Sequence, residues 1–100
     1  MAYEIYLTED AKADFLALDA RWRSAVRKAL EEHLRHRPEA TSKSRIKRLR
    51  GLRKPQFRLR VDEIRVFYDI GDDAVVTVLA IVPKSRAETW LSYHGERDHE

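Results

Sequence analysis

The chain reads as an α+β domain: strand, helix, helix, then an antiparallel three-stranded meander and a short C-terminal helix. Two periodicities predict it. Apolar residues recur at three- and four-residue spacing between positions 11 and 34, while positions 57–82 hold three runs of β-formers separated by short turns. Short turns make the three strands antiparallel, and two amphipathic helices must bury their stripes on one face of that sheet.

Each element has a local cause. Tyr3, Ile5 and Leu7 alternate with Glu4 and Tyr6, which is the period of a strand. Thr8 fits an N-cap, and Glu9 and Asp10 follow where the helix dipole favours acids. Ala11, Phe15 and Leu18 then mark one face of a helix reaching about residue 20. Trp22, Ala25, Val26, Ala29, Leu30, His33 and Leu34 form the stripe of a second helix, with Arg23, Arg27, Lys28, Glu31 and Glu32 toward water. Pro38 predicts its end near Arg37. Residues 39–55, rich in Pro, Ser, Thr, Gly and bases, read as a connecting loop with room for a helical turn at 46–49.

The next run places Phe57, Leu59 and Val61 on one strand face and Arg58 and Arg60 on the other. β-formers resume at Ile64, Val66, Phe67, Tyr68 and Ile70, predicting a hairpin that turns near Asp62-Glu63. A two-residue loop pairs Val61 with Ile64, sets Arg60 opposite Arg65, and puts Arg58 opposite Phe67. Like charges directly opposite one another are unfavourable, within about 0.2–1 kcal/mol per pair. An anion between them relieves that cost, and arginine's planar fork suits phosphate. The plainer reading is a solvated hairpin partly neutralised by Asp62, Glu63 and Asp69.

Gly71-Asp72-Asp73 is a turn. Residues 75–82 are apolar on both faces (Val75, Thr77, Leu79 and Ile81 against Val76, Val78, Ala80 and Val82), which predicts the central strand. Pro83 stops it. Ser85 and Glu88 have capping-box spacing, opening a short helix that carries Trp90 and Leu91. The expected organisation is a single domain over residues 1–91 and a polar, frayed C-terminal tail over 92–100.

Charge is distributed unevenly. The 100 residues carry a net charge of +3, yet positions 43–60 contain no Asp or Glu. That asymmetry points to a polyanion or an acidic protein as partner. The chain has no cysteine, which excludes disulfides and thiolate metal sites and fits a reducing cytoplasm. It has no apolar signal core or membrane-length run, so a soluble cytoplasmic protein without a membrane partner is expected. His33 and His36 stand at i, i+3 spacing without an evident third ligand, so His33 reads as an interior histidine and no metal is expected. His94 and His99 fall in the expected tail.

The motifs Leu49-Arg-Gly-Leu, Phe57-Arg-Leu-Arg-Val and Arg65-Val-Phe-Tyr, then Ile81-Val82 and Lys84-Ser-Arg86, resemble the RelE/ParE superfamily of toxins from type II toxin–antitoxin systems. The resemblance spans nearly the whole chain. It implies either a RelE-like, metal- and cofactor-independent endoribonuclease that cuts messenger RNA on the ribosome, or a ParE-like inhibitor of DNA gyrase. A noncatalytic RNA- or protein-binding module on the same fold is the third reading. The RelE-like case implies catalytic cations at Arg58 and Arg65 with Arg60 close by, a leaving-group cation at Lys84 and a stacking ring at Trp90. Where that family has a catalytic lysine, this chain has Gln56. Lys47, Arg48, Arg50, Arg53, Lys54 and Arg86 are the expected RNA grip, with Phe67 or Trp90 stacking a base. Glu63 or Lys84 would have to serve as general base. A cognate antitoxin, in a heteromeric assembly, is the implied protein partner.

Overall fold

A computed structural model describes residues 2–98. In chain order the elements are β1 (Glu4–Leu7), α1 (Glu9–Ala17), α2 (Ala20–Ala29) and a π-helical turn over Leu30–Leu34, then β2 (Ile46–Arg48) and β3 (Leu52–Lys54). β4 (Phe57–Val61), β5 (Ile64–Ile70) and β6 (Val75–Pro83) follow, then a 3-10 turn over Lys84–Arg86, α3 (Ala87–His94) and β7 (Glu96–Arg97). The predicted meander is the middle of a five-stranded sheet ordered β1-β6-β5-β4-β2. β1 joins it in parallel beside β6, while the other pairings are antiparallel.

α1 is capped as expected, with the Ala11 amide donating to Thr8 Oγ1 at 3.1 Å. α2 has a cap that the sequence reading missed: Asp19 Oδ1 accepts from the Trp22 amide at 3.0 Å. The helical run ends at Leu34, short of Arg37, and the π turn keeps both Leu30 and Leu34 buried. Ala11, Val26, Ala29, Leu30 and Leu34 pack on the sheet face that carries Leu59, Val61, Ile64, Val66 and Tyr68. The buried Tyr68 hydroxyl donates to the Pro38 carbonyl at 2.7 Å, tying the chain after α2 to the sheet.

The hairpin register is the predicted one: Val61 faces Ile64, Arg60 faces Arg65, and Arg58 faces Phe67. Asp62 takes a positive φ of 52°, a conformation Asp tolerates better than most residues. Strict alternation fails in β6. Phe67 pairs with Ala80 and Tyr68 with Val78, so Leu79 is an extra residue in the ladder. Such a bulge reverses the alternation, and Ile81 joins Val76 and Val78 on the helix-packed side.

Residues 39–55 are not the loop predicted. β2 extends the sheet along β4, anchored by the buried Ile46, and β3 pairs with β7 in a two-stranded ribbon. Both strands are three residues long and mostly basic, so their apolar signal is a single residue each. Nor is the stretch after Leu91 frayed throughout. α3 runs on to His94, Glu96 and Arg97 pair with Lys54 and Leu52, and Arg53 Nη2 meets Glu96 Oε1 at 2.6 Å. His99 lies outside the described residues. The capping box does not form: Arg86 occupies the N-cap and no side chain caps α3.

Candidate nucleic-acid interface

The sheet face opposite α1 and α2 is built by the register alone. Lys47, Arg58, Phe67 and Ala80 make one cross-strand row, and Arg60, Arg65 and Val82 make the next. This face is only partly open, because α3 lies across it. The Phe67 and Trp90 rings stack with centroids 5.0 Å apart and planes 6° from parallel, and Phe67 is 1 % exposed. Trp90 also stacks with His94 at 5.1 Å.

Beside that stack is a cleft of about 410 Å³ lined by Arg58, Arg65, Phe67, Lys84, Ser85 and Glu88, among others. Lys84 is brought there by its amide, which donates to the Glu63 carbonyl at 2.7 Å. Arg65 is 8 % exposed, and its Nη1 donates to the Asp62 and Ile64 carbonyls at 2.8 and 3.1 Å. Arg58 Nη2 and Arg60 Nε share the Ser44 carbonyl at 3.1 and 3.2 Å. Arg58 Nε is buried and has no partner among the described residues.

The crowding of the three arginines shows in their electrostatics. Burial, then the neighbouring Arg65 and Arg60, push the Arg58 guanidinium below its ordinary pKa. Burial and then Arg60 do the same to Arg65, with Glu63 opposing weakly. Arginines stay protonated at neutral pH, so these guanidiniums keep their charge despite the mutual repulsion. The planar fork of an arginine suits a phosphate in geometry and charge.

The remaining expected contacts disperse. Arg48 donates to the Gln56 carbonyl at 2.8 Å and lies over the Phe57 ring at 5.3 Å, so its guanidinium buttresses the sheet. Arg53 is engaged by Glu96, and Lys54 is exposed opposite Glu96 in the ribbon. Arg50 lines a separate polar cleft of about 390 Å³ with Arg97. Arg86 lies with Trp90 and His94 in an apolar groove of about 540 Å³ between α1 and α3. That groove is the largest of the three described beside α3 but has no cluster of cations. Phe67 is corrected as a base-stacking ring: its surface is taken by Trp90. Gln56 is structural, since its Oε1 accepts from the Ile70 amide at 2.9 Å while Asp69 Oδ1 accepts from the Gln56 amide at 2.7 Å. Sequence reasoning missed the Ser44 carbonyl, which has no side-chain signal, and Glu88, whose spacing from Ser85 suggested a cap.

Among the described residues, no group of His, Cys, Asp or Glu is placed to hold a metal, and no helix is long and apolar enough to cross a membrane.

The toxin in the RelBE2 toxin–antitoxin complex of Mycobacterium tuberculosis is 26 % identical, with a TM-score of 0.68 over 83 % of this chain and 99 % of that one. A mutant of the E. coli toxin RelE in the free state is 25 % identical, with a TM-score of 0.70 over 90 % and 92 %. The archaeal RelE–RelB complex of Pyrococcus horikoshii shares the fold at 20 % identity, with a TM-score of 0.70 over 86 % and 99 %. No curated protein sequence matches. The family model for the ParE toxin of type II toxin–antitoxin systems matches residues 5–88, and so the chain belongs to that family, within the RelE/ParE superfamily of toxins.

Proposed function

We propose that this toxin is an endoribonuclease acting on ribosome-bound messenger RNA, so that its expression inhibits translation. The observation that carries the reading is that Arg58 and Arg65 share one cleft with Lys84, with Arg60 adjoining Arg58 and Arg65 on the same sheet face. RNA carries its own nucleophile, the 2′-hydroxyl. A protein then needs to hold the backbone in line, stabilise the charge on the pentacoordinate phosphorus and move protons. Preorganised donors in a water-poor site are worth about 3–4 kcal/mol each. In this reading Arg58 and Arg65 hold the phosphate and Lys84 neutralises the departing oxygen. Lys47 and Arg60 extend the grip along the backbone.

A second reading, inhibition of DNA gyrase without nuclease chemistry, is favoured by the match to the ParE toxin model and by the structural duty of Gln56. Brief induction followed by mapping of RNA 5′ ends, beside a gyrase supercoiling assay, separates the two. Breaks inside translated codons are expected. Intact RNA with inhibited gyrase would overturn the ribonuclease reading.

The partner in either case is a cognate antitoxin. Several structurally similar toxins are known as complexes with theirs. An acidic antitoxin segment is the natural counterpart of the acid-free stretch at 43–60.

A further inference from the structure

We infer that Glu88 is the general base of the cleft, a role that rests on the ribonuclease reading above. RNA cleavage by the 2′-hydroxyl needs a proton acceptor, and arginine is a poor one. Among the residues lining the cleft, the cations Arg58, Arg65 and Lys84 are joined by one carboxylate, that of Glu88. Asp62 and Glu63, the acids of the β4–β5 turn, give their backbone carbonyls to Arg65 and the Lys84 amide and do not line the cleft.

The Glu88 carboxylate is also unoccupied. Its spacing from Ser85 suits a capping box, but α3 begins at Ala87 with no side-chain cap; Ser85 and the exposed Glu88 line the cleft instead, and Glu88 also borders the neighbouring cleft of Arg50 and Arg97. No ion pair within 4.0 Å engages Glu88 among the described residues. A carboxylate in the first turn of a helix is favoured by the helix dipole, which is the competing, purely structural role.

The step balances without a metal or other co-reactant. The 2′-hydroxyl oxygen bonds to phosphorus while its proton passes to Glu88. The bond from phosphorus to the 5′-oxygen breaks, and the Lys84 ammonium gives that oxygen a proton. A 2′,3′-cyclic phosphate and a 5′-hydroxyl result. Glu88 then releases its proton to water and Lys84 takes one up.

The test is single-turnover cleavage, across pH, of messenger RNA on programmed ribosomes by the wild-type toxin, Glu88→Gln and Glu88→Asp. Thermal melting is compared alongside. Glu88→Gln should melt like the wild type, lose about 10²–10⁴-fold in rate and lose the rise in rate with pH on the acid side. Glu88→Asp should recover part of the rate and the pH limb. A Glu88→Gln enzyme with wild-type rate, or with a slower rate but an unchanged pH limb, would overturn Glu88 while leaving the ribonuclease reading intact. Wild-type toxin that leaves the RNA whole would overturn that reading and the general base together.

Discussion

Phe67 and Trp90 lie ring on ring, 5.0 Å between centroids, and this pair joins the sheet face to α3. Offset aromatic pairs add about 0.5–1.5 kcal/mol beyond their buried area. Phe67 is almost fully buried, whereas Trp90 is half-buried. Trp90→Ala should therefore cost about 2 kcal/mol, less than a fully buried tryptophan, and Trp90→Phe should recover most of it. Urea melts measure both. A Trp90→Ala protein as stable as the parent would mean that α3 is held by the β3–β7 ribbon alone.

Arg58 should behave in the opposite way. Its Nε is buried without a partner, and Arg60 and Arg65 repel it. Arg58→Met keeps the apolar stem and removes the orphaned donor, so stability should rise by about 1 kcal/mol while growth inhibition is lost. For a domain of this size that gain raises the melting temperature by about 4–8 °C. Arg65 differs, because it donates to two carbonyls from a buried position and its truncation should destabilise. Loss of stability in Arg58→Met would argue that this arginine serves the fold.

How far the structure was legible depended on how much each element had to repeat itself. The α2 stripe and the β4–β5 register were legible because six apolar positions on one helix face, or a two-residue loop, leave little freedom. β2 and β3 were not, since Ile46 and Leu52 are lone apolar anchors in basic surroundings. The arginine row followed from period two. The burial of Phe67 did not, because a short helix bearing Trp90 and Leu91 carries no information about which face it covers. Glu88 reads in the sequence as half of a capping box that does not form.

Gln56 gives a further test of a position that resemblance would assign to catalysis. Its side chain accepts from the Ile70 amide, and a lysine has no acceptor to offer. Gln56→Lys should cost about 1–2 kcal/mol and bring no gain in RNA cleavage. A faster enzyme of unchanged stability would show the site to be one substitution from a different catalytic arrangement.

Asp69, the other half of that buckle, sets a pH dependence. Burial raises its pKa, and the hydrogen bond from the Gln56 amide offsets only part of this. A carboxyl that holds its proton more tightly when folded contributes stability that is full below its unfolded pKa. That contribution is lost as pH rises through the folded value. The stability of wild type relative to Asp69→Asn should thus be greatest in acid and decline toward neutral pH. Melts in urea at stepped pH read it. A difference that grows toward neutral pH would mean that the hydrogen bond outweighs burial.

The basic surface should also steer the antitoxin. Residues 43–60 carry no acid, and Lys47, Arg58 and Arg60 stand together on β2 and β4. Attraction between such a face and an acidic chain speeds encounter, and it weakens as the Debye length falls from about 10 Å at 0.1 M salt to about 3 Å at 1 M. Affinity should come mainly from apolar anchors and change less. Stopped-flow association with the cognate antitoxin, across that range of salt, should show the association rate falling while dissociation stays nearly constant. Lys47→Glu should flatten the slope. An association rate indifferent to salt would remove steering by this face and leave recognition to shape.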